Sequence, residues 1–173
     1  ISFFTKKEDL VFDPFAGTGT TLLAAALLGR ESIGFEISPQ WVDIYYRICK
    51  KQRIPRQKLV EGDCSELIYN VPKESVDFIV IDPPNPLKTD DWHRGKSEPA
   101  SPIDAYFDFM LKIFNRCYIS LKDQKYLAIF TRNLYQNGRY IYLTPYFATM
   151  AADAGFVLKG EKIWENSAEK LRP

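Results

Sequence analysis

The stretch "LVFDPFAGTGTTLLAAALLG", residues 10–29, decides the fold. It reads as a short apolar strand, a glycine-bearing turn and an apolar helix, the opening unit of a doubly wound α/β sheet. Gly17 and Gly19 let a ligand approach the backbone at a helix N-terminus, where unpaired N–H groups gather. Three ligand classes compete for such a turn. A P-loop needs a lysine directly after its last glycine, and the stretch contains none. A dinucleotide site needs G-x-G-x-x-G, but Leu22 stands where the third glycine belongs.

Asp13 separates the candidates. At the end of the strand its carboxylate repels a pyrophosphate and attracts an ammonium. S-adenosylmethionine has no phosphate but carries an α-amino group and a sulfonium, so it suits this lip. More carboxylates follow at strand ends: Glu36 closes "ESIGFE", Asp63 follows "KLVEG", and Asp82 follows "VDFIVI". Glu36 lies 36 − 13 = 23 positions after Asp13, close to the roughly 20-residue offset at which a Rossmann acid meets ribose hydroxyls. Asp63 is placed to accept the adenine amine, with Cys64 against the ring. Ligands of open α/β sheets bind outside the carboxyl ends of the strands. Surface acids serving solubility would scatter along the elements instead.

The rest of the chain agrees. Its 173 residues are enough to bury a sizeable core, and 46% apolar with 26% charged residues is ordinary for a globular protein. Strands are expected at residues 10–12, 32–36, 58–61, 76–81, 126–131 and 156–163. Helices are expected at 20–28, 39–52, 102–119 and 144–154, the second opened by a capping Ser38 and by Pro39 at the first helical position. Alternating strands and helices predict a mostly parallel sheet covered on both faces. No apolar run approaches the roughly 20 residues of a membrane span. Cys49, Cys64 and Cys117 are scattered, without metal-type spacing, which fits a reducing cytoplasm. A net charge of +1 restricts any polyanion contact to local patches. One candidate is the cluster Lys50, Lys51, Arg53, Arg56 and Lys58, whose ordinary reading is a solvated face. A second lies in the proline-rich segment 86–101, which reads as a long functional loop. There Lys88, His93, Arg94 and Lys96, with Trp92, are candidates for nucleic-acid contact.

"DPFAGTGTT", "GFEI", "EGDC" and "DPPN", in that order and at suitable spacing, resemble the amino-group (N6-adenine or N4-cytosine) DNA methyltransferases of DPPY type. The resemblance continues through "YLAIFTRN" and "AGFVLKGEKIWEN". It implies a Rossmann-like class I methyltransferase fold, α/β and doubly wound, with strand order 3-2-1-4-5-7-6 and the seventh strand antiparallel. Against that pattern, residues 1–173 read as one catalytic domain that lacks both the helix before the first strand and a final antiparallel strand. It also implies a cofactor site: Asp13, Pro14, Phe15, Ala16, Gly17, Thr18 and Gly19 about the methionine end, with Thr20 and Thr21 opening the helix. Glu36 and Ile37 would hold ribose and adenine, and Asp63 and Cys64 would complete the adenine pocket. Asp82, Pro83, Pro84 and Asn85 would be the catalytic stretch. The cofactor is then S-adenosylmethionine, released as S-adenosylhomocysteine, and the partner is DNA with its target base flipped out.

An exocyclic amine is a weak nucleophile because its lone pair is delocalised into the ring. Asp82 and the Pro83 carbonyl can each accept one amine hydrogen and aim the lone pair at a methyl donor. Proline fixes φ and offers no competing N–H. Asp82 at the head of the motif favours adenine N6 over cytosine N4, as the resemblance implies. Carbon-5 cytosine chemistry is excluded, since no cysteine follows a proline.

Asn85 departs from the family, which places an aromatic there to stack on the flipped base. Three accounts stay open: another aromatic such as Trp92 or Tyr106 supplies the stack, a different amine is the target, or transfer is poor. The alternatives to a DNA enzyme are the same chemistry on RNA or on a protein amine, and a non-catalytic subunit of a methyltransferase complex. No separate target-recognition segment lies between the motifs, which leaves recognition to the 86–101 loop and a partner subunit, or to a longer protein of which this is a fragment.

Overall fold

The computed structural model describes residues 1–86, 92, 101–136 and 138–163. Strands β1 (Leu10–Asp13), β2 (Glu31–Glu36), β3 (Lys58–Glu61), β4 (Val76–Ile81) and β5 (Leu121–Ile129) form a parallel sheet in the order β3-β2-β1-β4-β5. Helices α1 (Thr20–Leu27), α2 (Pro39–Gln52), α3 (Cys64–Leu67) and α4 (Pro102–Ser120) alternate with these strands. A hairpin, β6 (Leu134–Gln136) and β7 (Arg139–Ile141), and helix α5 (Leu143–Asp153) follow.

All six residues of β4 are buried, as expected of a strand covered on both faces. Phe78 and Val80 face one way, packing with Val11 and Ala25. Ile79 and Ile81 face the other, packing with Phe12, Phe35 and α4. Helix α4 meets them with Tyr106, Phe109, Met110, Ile113, Phe114 and Cys117, the spacing of one helical face. Near the N-terminus, Phe4 stacks on Phe78 with ring centroids 5.0 Å apart and covers the first face.

At the other end of the strands, Asp77 joins three of them. Its Oδ2 accepts from the Leu10 N–H (3.1 Å) and the Lys122 Nζ (2.8 Å), and its Oδ1 lies 3.1 Å from the Lys125 Nζ. Residues 122–125 stand opposite Asp77 alone, because the register jumps between the pairs Val76↔Leu121 and Phe78↔Tyr126. Gln124 makes that jump possible by adopting a left-handed φ of 57°. This pairing also starts β5 five residues earlier than the apolar pattern predicts.

Two expectations fail. Residues 156–163, expected as a strand, form none, and Val157, Leu158 and Ile163 are exposed. A strand needs a neighbour for its backbone groups, and no described residue pairs with the outer edge of β5. The implied outer strands of the 3-2-1-4-5-7-6 order are accordingly absent among the described residues. Ser38 does begin α2, with Pro39 in the first turn, but its side chain makes no capping bond.

Burial raises the Asp77 carboxyl, but bonds from Lys122, Leu10 and Lys125 outweigh it and hold the group below its usual 3.8. A carboxyl depressed on folding adds stability above its unfolded pKa and loses it as pH falls through the folded value. Asp77→Asn is expected to lower stability by about 1–3 kcal/mol at neutral pH. Urea titrations of both proteins should converge as pH falls below 3.8.

Candidate active site

The parallel sheet brings the four acids to one edge: Asp13 and Glu36 end β1 and β2, Asp63 follows β3 by two residues, and Asp82 follows β4 directly. Between β1 and α1 the chain turns tightly, with the Gly19 N–H donating to the Ala16 carbonyl at 2.7 Å. Gly17 and Gly19 both take left-handed φ values, 54° and 76°. Around Gly17 the space a Cβ would enter is open, whereas at Gly19 a Cβ would strike the Tyr45 ring. The first glycine thus leaves an open lip for a ligand, and the second serves packing.

Glu36 holds this loop. Its Oε2 accepts from the Gly17 N–H at 2.8 Å and its Oε1 from the Ser38 N–H at 2.7 Å. Asp63 accepts from the Ser65 N–H at 2.8 Å and caps α3, which places half-buried Asp63 beside buried Cys64. Burial pushes the Cys64 and Cys117 thiols up, so both stay protonated and act as apolar packing. Ile37 is half-buried between Glu36 and Ser38.

Asp13 is buried, and burial raises its carboxyl to about 6 despite bonds from the Thr21 side chain and the Phe15 N–H. The negative charges of Asp82 and Glu36 contribute to that rise. Three mutually repelling carboxylates about an open glycine lip form a site suited to a cation. Asp82 stands exposed at the rim, yet the surrounding protein desolvates its carboxyl enough to raise it, while Arg132, just past β5, pulls it down.

An aromatic chain joins the two motifs. Phe15 approaches Phe109 (5.9 Å between centroids), Phe109 approaches Trp92 (5.8 Å), and Trp92 meets Tyr106 edge-on (5.3 Å). The Tyr106 hydroxyl then donates to the Pro84 carbonyl at 2.9 Å. Burial, aided by the charge of Asp82, keeps that hydroxyl protonated and therefore a donor. Trp92 and Tyr106 are buried in the core, so neither ring is displayed at the rim for a base. Asn85, the next residue after Pro84, is half-buried. Lys88, His93, Arg94 and Lys96 lie outside the described residues.

Sequence reasoning missed Gly34. A Cβ there would lie 2.8 Å from both the Ala16 Cβ and the Leu22 Cδ1, so only glycine lets the loop and α1 rest on β2. An isolated glycine inside a strand pattern is the signal for such an approach. It missed Arg132 because the implied order puts β5 beside β4 without fixing the register that brings Arg132 level with Asp82. The hairpin was also missed, although Asn137-Gly138 between aromatic alternations is a strong hairpin signal.

This fold is that of the Rossmann-like class I methyltransferases. An S-adenosylmethionine-dependent methyltransferase from Aquifex aeolicus superposes on 89% of this chain and 76% of its own, with a TM-score of 0.60 at 18% identity. Residues 1–47, which contain β1, α1, β2 and the start of α2, match the family model described as DNA methylase. Over 36 residues the chain is 61% identical to Type II methyltransferase M.HindIII of Haemophilus influenzae, covering 21% of this chain and 12% of that protein. Over 44 residues it is 48% identical to Type II methyltransferase M.MthZI of Methanothermobacter thermautotrophicus, covering 25% and 12%. The resemblance to the amino-group DNA methyltransferases is thus carried by the glycine-loop segment, and the matched stretch spans about an eighth of those relatives.

Gly34→Ala is expected to cost about 1–3 kcal/mol, because the added methyl must displace Ala16 or Leu22. Thermal unfolding measures that loss. The displaced loop should also weaken the Glu36–Gly17 bond, visible as faster amide exchange at Gly17.

Proposed function

We propose that this chain is the catalytic core of a DNA methyltransferase that moves a methyl group from S-adenosylmethionine to an exocyclic amine, adenine N6 in preference to cytosine N4. The observation that carries the reading is the set of Asp13, Glu36 and Asp82 around the open Gly17 lip, one motif ending β1 and another ending β4. The residues fit the cofactor. Buried Asp13 would receive its ammonium, Glu36 its ribose hydroxyls, and Asp63 with Ile37 and Cys64 its adenine. When bound, S-adenosylmethionine supplies an electrophilic methyl on a sulfonium, and its remainder leaves as S-adenosylhomocysteine.

The chain's own contribution is positioning. Asp82 accepts one hydrogen of the target amine and the Pro83 carbonyl accepts the other, so that the nitrogen lone pair points toward the sulfonium methyl. On transfer the nitrogen would gain the methyl carbon, with the former carbon–sulfur pair left on sulfur, and would give up one proton. Asp82, raised by its surroundings, would be the base for that proton. Tyr106 holds the Pro84 carbonyl and with it the last turn of the motif. Asn85 supports a second reading, a subunit that binds cofactor without transferring the methyl.

Incubating the protein with labelled S-adenosylmethionine and DNA, RNA or protein, then identifying the methylated atom, decides between these. Label on adenine N6 is the expected result. Cofactor binding without transfer to any acceptor favours the subunit. Asp82→Ala should cut transfer about 10²–10⁴-fold, with cofactor affinity within about threefold of wild type.

Asp13 predicts a pH dependence. A carboxylate is needed for the ammonium, and the group protonates near 6. Cofactor affinity should therefore fall as pH drops through about 6, approaching tenfold per unit. In Asp13→Asn the affinity should be lower and flat over the same range, by calorimetric titration.

A further inference from the structure

The hairpin β6–β7 displays aromatic rings that the proposed chemistry does not use. Leu134 pairs with Ile141, and both pack on the main core. The next pair, Tyr135 opposite Tyr140, therefore points the other way, and these side chains are 74% and 59% exposed. Tyr142 continues the surface at 55% exposure, its ring 5.3 Å from that of Tyr140. The hairpin is thus pinned by its apolar face and offers a row of tyrosines on the other.

Its position is set by the sheet. The Phe130 N–H donates to the Ile81 carbonyl at 2.7 Å, so the chain leaves β5 beside Asp82 and passes through Arg132 into β6. On the far side, Tyr146 of α5 stacks on Phe107 of α4 at 4.9 Å, next to the Tyr106 that holds Pro84. The tyrosine face and the amine site are neighbours on one rim. The segment itself carries no acid: residues 124–152 contain no carboxylate, and Arg132 lies at its start, whereas Lys125 is engaged with Asp77 at the opposite edge. Exposed rings beside a cation, on a segment that itself carries no acid, match a nucleic-acid strand, whose bases stack and whose phosphates need neutralising.

We propose that Tyr135, Tyr140 and Tyr142, with Arg132, form a platform on which DNA nucleotides beside the flipped target base stack. The platform rests on the reading of the chain as a DNA amine methyltransferase. It makes good the aromatic that Asn85 lacks, by gripping the flanking nucleotides instead of the target base itself.

The test measures anisotropy of a labelled 20-nucleotide single-stranded DNA and of its duplex with the wild-type protein and three variants. The double variant Tyr140→Ala/Tyr142→Ala should lose about tenfold or more in DNA affinity, with S-adenosylmethionine affinity within twofold. Tyr140→Phe/Tyr142→Phe, which keeps the rings, should retain DNA binding. Arg132→Gln should lower the slope of log affinity against log salt by about one unit. DNA affinity and methylation unchanged in the double alanine variant would overturn the platform and leave the amine-transfer reading standing. Wild-type protein that binds the cofactor but neither binds nor methylates DNA overturns both. Tighter binding to RNA of the same sequence, or a dimer that the alanine variant converts to monomer, overturns the DNA assignment in favour of that other occupant.

Discussion

One carboxylate holds the site together. Glu36 spends one oxygen on the Gly17 N–H and the other on the Ser38 N–H, joining the glycine loop to the start of α2. Both are backbone donors beside helix starts, where N–H groups lack partners of their own. The arrangement is possible only because β2 runs parallel to β1, which brings its last residue level with the loop that leaves β1. A ribose binding there would meet a carboxylate already fixed in place, so little ordering remains at the moment of binding.

The same constraint concentrates charge. Parallel strands put every carboxyl end on one edge, and with it Asp13, Glu36, Asp63 and Asp82. Asp13 is held near 6 by burial first, with the charges of Asp82 and Glu36 adding to it. An edge so arranged is unfavourable alone and favourable with a cation. Asp77 at the opposite edge shows the contrast: its two lysines lower it, and it serves the fold.

The aromatic chain from Phe15 through Phe109 and Trp92 to Tyr106 gives the two motifs a common support. It explains why Trp92 and Tyr106 are poor candidates for the missing base stack, since both rings are already committed to the core. Residues missing from the simple motif pattern thus have their reasons in packing: Gly34 in the contact of β2 with α1, and Tyr106 in the grip on Pro84.

The order of strands and helices was legible in local pattern. β3, β4 and α2 lie where the apolar periodicity and the Ser38-Pro39 start place them, and the four acids at strand ends were visible as a set. Those features depend on neighbours along the chain. What the tertiary structure decided depends on neighbours in space. The early start of β5 follows from the lysines reaching Asp77, and residues 156–163 stay out of the sheet because no described strand offers them an edge. The buried position of Trp92 and the placing of Arg132 beside Asp82 come from helix and strand packing. The exposed face of the hairpin is likewise set by Leu134 and Ile141 turning to the core. Sequence alone could nominate the candidates for chemistry and determine the order of elements that carry them, because residue type and spacing are local. Which of them meet, and which rings face solvent, required the fold, because contacts between β4, β5 and α4 join residues far apart in the chain.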